Sequence, residues 1–103
     1  MPKIKVEKNT KLSPEDAFER VQKLLENDSE LKKLDQDMAF EFNKSQLEGS
    51  AKGKQFSALM KVSESQGNSN ISIEVDLPFH LGLIKGVVEK TLHDKLEDAL
   101  DYA

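Results

Sequence analysis

The segment NISIEVDLPFHLGLI, residues 70–84, contains a strand, a proline and the beginning of a helix. Apolar and polar residues alternate as far as Leu77, and a period of two is typical of a strand with one buried face. The side chains predicted to face the core are those of Ile71, Ile73, Val75 and Leu77. The alternation stops at Pro78, and residues 79–84 are more apolar than a turn requires. We therefore expect a core strand that leads directly into an apolar joint, residues 77–84.

A long amphipathic helix is predicted after the joint. Apolar residues recur there at steps of three and four, the spacing that places them on one face of a helix. They are Ile84, Val87, Val88, Leu92, Leu96, Ala99 and Leu100. Because this apolar stripe is the longest in the chain, we expect the C-terminal helix to cover the centre of the sheet.

The N-terminal third predicts one strand and one helix. Charged and apolar residues alternate over Lys3–Glu7, which suits a short strand at the edge of a sheet. Ser13 and Pro14 form a helix start, because a hydroxyl caps the first turn and proline is tolerated at its first position. The amphipathic pattern that follows extends to Leu34, with fraying or a kink expected around Asn27–Asp28.

Three further strands are predicted between this helix and residue 66. The inward residues of the first are Met38, Phe40 and Phe42. Those of the next are Leu47, Gly49, Ala51 and Gly53, and those of the last are Phe56, Ala58, Met60 and Val62. Small residues on the middle strand leave room for a crossing helix or for curvature of the sheet, and we expect a packed helix there.

The order of elements predicts a single α+β domain over residues 1–103. The order is β-α-β-β-β-β-α, with hairpin connections between the last four strands. One face of such a sheet must be covered, and both amphipathic helices have an apolar stripe to cover it. We therefore expect a two-layer sandwich in which a curved antiparallel sheet grips the C-terminal helix, a helix-grip arrangement.

Composition excludes several classes of function. The chain has no cysteine, which excludes disulfides, thiol catalysis and zinc sites built on cysteine. The net charge is −4 and the lysines are dispersed, so nucleic acid is not an expected partner. No run approaches the roughly 20 apolar residues of a transmembrane helix. We expect a protein of the cytoplasm, without a transmembrane segment.

No pattern of residues predicts catalysis, a cofactor or a metal site. His80 and His93 are the only histidines, and a nucleophilic or general-base role would require a hydroxyl or carboxylate held within hydrogen-bonding distance. His93 is predicted to lie on a solvated, charged helix face beside Asp94 and one turn from Glu97. We expect His80 to be a surface residue, and we predict that the protein is not an enzyme.

The passage from Ile71 to Leu77, the step Ile84-Lys85-Gly86 and the ending from Glu89 to Leu100 resemble the polyhydroxyalkanoic acid system family of small bacterial proteins. Members of that family are encoded among genes for polyhydroxyalkanoate synthesis and use, and some associate with the surface of the polymer granule. The resemblance implies a non-catalytic accessory protein of polyhydroxyalkanoate metabolism, whose partner is the granule or a granule protein. At the level of fold, the predicted architecture is similar to a pared-down helix-grip domain of the lipid-transfer type.

Three hypotheses about function remain open. In the first, an exposed apolar surface of the joint, formed by Phe79, Leu81 and Leu83, contacts the granule or one of its proteins. In the second, the protein is a lipid- or acyl-binding module, and the residues that line the ligand are Phe40, Phe42, Phe56 and Met60. In the third, the protein is a homodimeric interaction domain that pairs through a sheet edge or through the joint. A cavity in the core would favour the second hypothesis.

Overall fold

The computed structural model describes residues 3–101 of the chain. This part contains five strands, three α-helices and one 3-10 helix. Within this range the side chains of residues 30, 31, 34 and 65 are outside the description, so the predicted inward positions of Leu31 and Leu34 are too. In chain order the elements are β1 Lys3–Thr10, α1 Pro14–Asn27, α2 Ser29–Leu34, β2 Ala39–Asn43, β3 Glu48–Lys52, β4 Ser57–Ser65, β5 Asn68–Asp76, the 3-10 helix Phe79–Ile84 and α3 Lys85–Asp101.

The strands form one antiparallel sheet in the order β1-β5-β4-β3-β2. The last four strands follow one another through hairpins, and β1 lies at an edge of the sheet, both as predicted. The partner of β1 is β5. The inward residues of β5 are all buried, which confirms the alternation read from the sequence. The fold is an α+β two-layer sandwich in which a curved sheet grips the C-terminal helix.

Helix α1 begins and ends where its sequence dictates. The Ser13 hydroxyl accepts a hydrogen bond from the Asp16 backbone N–H at 3.2 Å, and Pro14 occupies the first turn. The helix stops at Asp28, whose backbone is extended with φ −74° and ψ 119°. The predicted kink is therefore a complete break, after which α2 runs to Leu34.

The buried stripe of α3 is narrower than predicted. Val88, Leu92, Leu96 and Leu100, which recur at every fourth position, are the buried residues of this helix. Ile84 and Val87 are exposed instead, at 37% and 66% of their maximal areas. Each residue of an α-helix turns by about 100°, so Val87 points well away from Val88. Ile84 belongs to the 3-10 helix, whose tighter winding takes it out of the phase that the α-helical spacing assumed.

The helices cover one half of the sheet more fully than the other. Helix α3 packs against β1 and α1, and α1 packs against β4 and β5. Strands β2 and β3 pack mainly against each other and against β4. The helices therefore lie mainly over the β1, β5 and β4 side of the inner face, and they approach β2 and β3 less closely.

Candidate ligand cavity

Small side chains occupy the inner face of the sheet on β3 and β4. Gly49, Ala51 and Ala58 face inward there, as their alternation predicts. A Cβ atom added to Gly49 would lie 2.8 Å from Cδ1 of Phe42 and 3.3 Å from Cε of Met60. The Phe42 ring and the Met60 thioether therefore occupy the space in which we expected a crossing helix, and that prediction was wrong. Leu47 and Gly53 lie outside β3, and Leu47 sits in the β2–β3 turn with φ 56°.

An apolar cavity of about 70 Å³ lies between this part of the sheet and the helices. Leu25 of α1 and Val88 and Leu92 of α3 form its helical side. The residues predicted to line a ligand space, Phe40, Phe42, Phe56 and Met60, all line this cavity. The structure brings these four side chains together, and binding of a ligand among them stays a prediction.

Aromatic rings give one wall of the cavity a fixed shape. The rings of Phe40 and Phe42 are nearly parallel, with centroids 6.0 Å apart and planes 6° apart. Phe42 also meets Phe18 of α1 edge to face, at 6.1 Å and 86°. Such pairs add stabilisation beyond the area that they bury. Phe42 is therefore held from both sides, whereas Phe40 stands nearer the open end.

Among the described residues, the lining of the cavity offers no polar side chain to a ligand. Ser50 is the one polar residue of that lining, and its side chain alternates with Gly49 and Ala51 toward the outer face of the sheet. A polar group placed inside would lose its hydrogen bonds to water without replacement, which is costly. The cavity is therefore suited to hydrocarbon alone.

A polar depression adjoins the cavity beside the end of α2. Met38 and Phe40 line both the cavity and the depression, so the two spaces are adjacent. The other residues around the depression are Glu26, Lys32, Asp35 and Gln36. An apolar space and a polar one thus meet at Met38 and Phe40.

Asp35 fixes the loop between β3 and β4 beside this junction. Asp35 is only 7% exposed, and its carboxylate accepts the backbone N–H groups of Gln55 at 2.8 Å, Asp37 at 3.1 Å and Phe56 at 3.4 Å. These hydrogen bonds, that of Gln55 first, hold the pKa of the Asp35 carboxyl below its usual value, although burial acts in the opposite direction. A Cβ atom on Gly53 would lie 2.2 Å from Oδ2 of Asp35, so the close approach requires glycine.

Sequence reasoning missed Asp35. The signal available was an aspartate followed by a second one two residues later, just after a helix, where a carboxylate commonly accepts the backbone N–H of a turn. That pattern predicts the hydrogen bond to Asp37. It does not predict the hydrogen bonds to Gln55 and Phe56, which come from a loop some 20 residues further along the chain.

An ion pair joins the β2–β3 turn to α1 near the Phe18–Phe42 contact. The ammonium of Lys44 donates to the carboxylate of Glu19. Their hydrogen bond and mutual attraction lower the pKa of Glu19 and raise the pKa of Lys44. Both side chains are exposed, so the pair contributes little to stability.

Two of the three apolar residues predicted to form a surface at the joint are exposed. Phe79 and Leu83 are 78% and 99% exposed, whereas Leu81 is partly buried and packs against the core. Leu81 is therefore not part of the exposed surface, because the 3-10 helix turns it inward. Exposed Val87 lies four residues beyond Leu83, so we define the joint surface as Phe79, Leu83 and Val87. Whether this surface contacts a partner stays a prediction.

The two histidines lie apart and at the surface. His80 belongs to the 3-10 helix, and His93 lies on the exposed side of α3, as predicted. Nδ1 of His93 is 3.9 Å from the Glu97 carboxylate and 4.0 Å from that of Asp94. Among the side chains that the structure describes, these three form the one group of three or more potential metal ligands whose ligand atoms all lie within 4.8 Å of one another. Glu97 also pairs with Lys8 at 3.7 Å, so ion pairing on a solvated face accounts for the arrangement.

Comparison with known proteins supports the fold. No protein-family model matches the chain, and no curated protein matches it. Among solved structures, TTHA0849 from Thermus thermophilus is similar, with a TM-score of 0.60 and 12% identity over 97% of this chain and 92% of that one. The structure of Ara h 8.0201 is also similar, with a TM-score of 0.54 and 11% identity over 99% of both chains. At these identities the likeness extends to the fold alone.

Within residues 3–101, no helix is long and apolar enough to cross a bilayer.

Proposed function

We propose that this protein is a small binding module that holds an apolar, acyl-like ligand between the curved sheet and its helices. The observation that carries the proposal is the cavity of about 70 Å³ surrounded by Phe40, Phe42, Phe56 and Met60. Aromatic rings and methionine supply a large apolar contact area, and methionine adapts its shape to what it touches. The proposed activity is binding without catalysis.

Small side chains in the cavity lining support this proposal. Ala51 and Ala58 lie opposite each other across β3 and β4, and both line the cavity. Larger apolar side chains at these two positions would fill the space that a ligand needs. The room for a ligand therefore depends on these two small residues.

Titration with decanoate, followed by ¹⁵N NMR of the whole chain, tests the proposal. We expect saturable shifts of the amide signals of residues around the cavity, above all Phe42, Ala58 and Met60. Acetate, which carries the same carboxylate without a chain, is the control and should leave these signals in place. Absence of saturable shifts around the cavity, or equal shifts with acetate, would contradict the proposal.

The exposed joint surface favours a second candidate function, that of an accessory protein of polyhydroxyalkanoate metabolism. Phe79 and Leu83 place two large apolar side chains in water, and exposed apolar patches are typical of sites that meet a partner or an apolar phase. The resemblance of the sequence to the polyhydroxyalkanoic acid system family supplies the partner, the polymer granule. Sedimentation with purified granules tests this candidate.

A further inference from the structure

Two alanines face each other at the floor of the cavity. Ala51 on β3 and Ala58 on β4 are paired across the sheet. The same row continues to Phe40 on β2 and to Val75 on β5. Larger side chains therefore flank the two alanines, and the row leaves most free space above the alanine pair.

The neighbouring row of inward residues, two positions along each strand, closes one end of the cavity. It contains Phe42, Gly49, Met60 and Ile73, which are paired in the same order across the strands. Phe42 and Met60 fill the space above Gly49, as the short distances to its position show. The free space is therefore concentrated above Ala51 and Ala58, and Met60 is its inner boundary.

The two ends of the site differ in chemistry. Its inner part is surrounded by hydrocarbon, aromatic rings and the thioether of Met60. The adjoining depression, beyond Met38 and Phe40, carries Glu26, Lys32 and Gln36, which can hydrogen-bond or stay hydrated. An amphiphilic chain can satisfy both environments in only one orientation, because a polar group at the inner end would be buried without a partner.

We propose that the cavity takes the methyl end of an acyl chain first, and that the Ala51–Ala58 pair sets how many carbon atoms enter. The polar end of the ligand remains in the depression lined by Glu26, Lys32 and Gln36. This inference rests on the proposed function and specifies its ligand class, a chain with one polar end and an unsubstituted methyl end. A cavity of about 150 Å³ holds one benzene ring, so about 70 Å³ holds a short terminal segment.

Chain-length preference tests the role of the alanine pair. Ala58→Leu adds carbon atoms that point into the cavity, and it should shorten the longest chain that binds well. We expect its affinity for decanoate to fall by about tenfold or more, because one methylene in an apolar pocket is worth about 10–200-fold in discrimination. Its affinity for hexanoate, which enters less far, should fall much less. Ala39→Leu makes the same change at an exposed position of β2 and should leave both affinities unchanged.

Orientation is tested on the wild-type protein, so that no variant has to fold. 10-Hydroxydecanoate has the length of decanoate and a hydroxyl at the end that should be innermost. We expect it to bind at least about tenfold more weakly than decanoate, because that hydroxyl would be buried without a hydrogen-bond partner. Equal affinities would overturn the methyl-first orientation.

The outcomes separate this inference from the proposed function. If the wild type binds no chain at any length, the proposed function fails and the inference fails with it. If it binds decanoate, and Ala58→Leu keeps the wild-type preference for length, the alanine pair does not set the depth. If Ala58→Leu does not fold, as judged by circular dichroism, Ala51→Val replaces it in the same comparison, with unchanged length preference again counting against the proposal.

Discussion

The ammonium of Lys95 lies 2.7 Å from Oδ2 of Asp28, which joins the middle of α3 to the break between α1 and α2. Both side chains are largely buried, at 18% and 15% exposure. The break is the point where the first helical segment stops and turns toward β2. This contact therefore links α3 to the C-terminal end of α1, the helix whose Leu25 lines the cavity.

We predict that Lys95→Met destabilises the protein by about 1.5–3 kcal/mol, the range for a hydrogen bond to a charged group that loses its partner. Methionine keeps most of the apolar stem, so the change isolates the ammonium. Urea denaturation followed by circular dichroism measures the effect. Lys90→Met, at an exposed position of the same helix, is the control. Equal stabilities of the two variants would mean that the Lys95–Asp28 contact does not hold the helices together.

Leu96→Ala should destabilise the protein more strongly, by about 2–5 kcal/mol, because it leaves a cavity in the core. Leu96 is fully buried at the centre of the stripe by which α3 packs on the sheet. Val87→Ala, on the exposed side of the same helix, should change the stability by less than about 0.5 kcal/mol. Thermal denaturation of both variants gives the comparison. A small effect of Leu96→Ala would contradict the docking of α3.

Much of this packing could be predicted from the sequence, because it depends on local periodicity. The alternation from Ile71 to Leu77 predicted β5, and the spacing of Leu92, Leu96 and Leu100 predicted the buried face of α3. The predicted kink at Asp28 also appears, as a break. These features follow from the geometry of a strand or a helix, whatever lies opposite.

What the sequence did not predict depends on contacts between distant segments. The spacing of apolar residues predicted that Val87 is buried. The side of α3 that is actually covered depends on how the helix lies on the sheet, and the local sequence does not determine that orientation. The lack of a side chain at Gly49 indicated free space, but only the structure shows that Phe42 fills part of it. The four residues of the candidate site could be named from the sequence, since large inward residues on either side of the small residues of β3 face the same space. The size of the space between them could not.

We predict that the Asp35 carboxylate makes stability depend on pH in the acid range. The pKa of this group is lower in the folded protein than its ordinary value of 3.8, so the folded state binds fewer protons than the unfolded state. Its contribution is therefore complete above that ordinary value and is lost as the pH falls through the lowered pKa. Asp35→Asn should lower the melting temperature at pH 7, and the difference from wild type should shrink as the pH falls below about 4.

Scanning calorimetry from pH 7 down to the acid limit of reversible unfolding measures this dependence. Asp37→Asn is the matched control, because it removes a nearby exposed carboxylate that pairs with Lys54 at 3.3 Å. A difference in melting temperature between Asp35→Asn and wild type that stays constant with pH would show that the charge of Asp35 is not what stabilises the loop.

Replacing both histidines should leave function unchanged. His80 and His93 lie at the surface and outside the cavity lining, and the neighbours of His93 are solvent-exposed carboxylates. We expect a His80→Gln, His93→Gln protein to keep its fold and its affinity for decanoate. Circular dichroism and the NMR titration measure both properties. A turnover present in the wild type and lost in this folded variant would contradict the prediction that the protein is not an enzyme.

The last prediction concerns adhesion through the joint surface. Phe79 and Leu83 are exposed in the free protein, so contact with an apolar phase would bury them with no loss of core packing. Full burial of a side chain of that size is worth about 1.5–3 kcal/mol, and 1.4 kcal/mol is a factor of ten in affinity. A Phe79→Ser, Leu83→Ser protein should therefore bind polyhydroxyalkanoate granules at least about tenfold more weakly than wild type in co-sedimentation, although burial on a surface is incomplete.

The control for adhesion is Leu59→Ser, at an exposed leucine on the outer face of the sheet, which should bind like wild type. Equal partitioning of folded wild type and double variant would exclude the joint as the adhesive surface. Failure of the wild type to sediment with granules would contradict the granule hypothesis itself. It would leave ligand binding in the cavity untouched, because Phe79 and Leu83 lie outside the cavity lining.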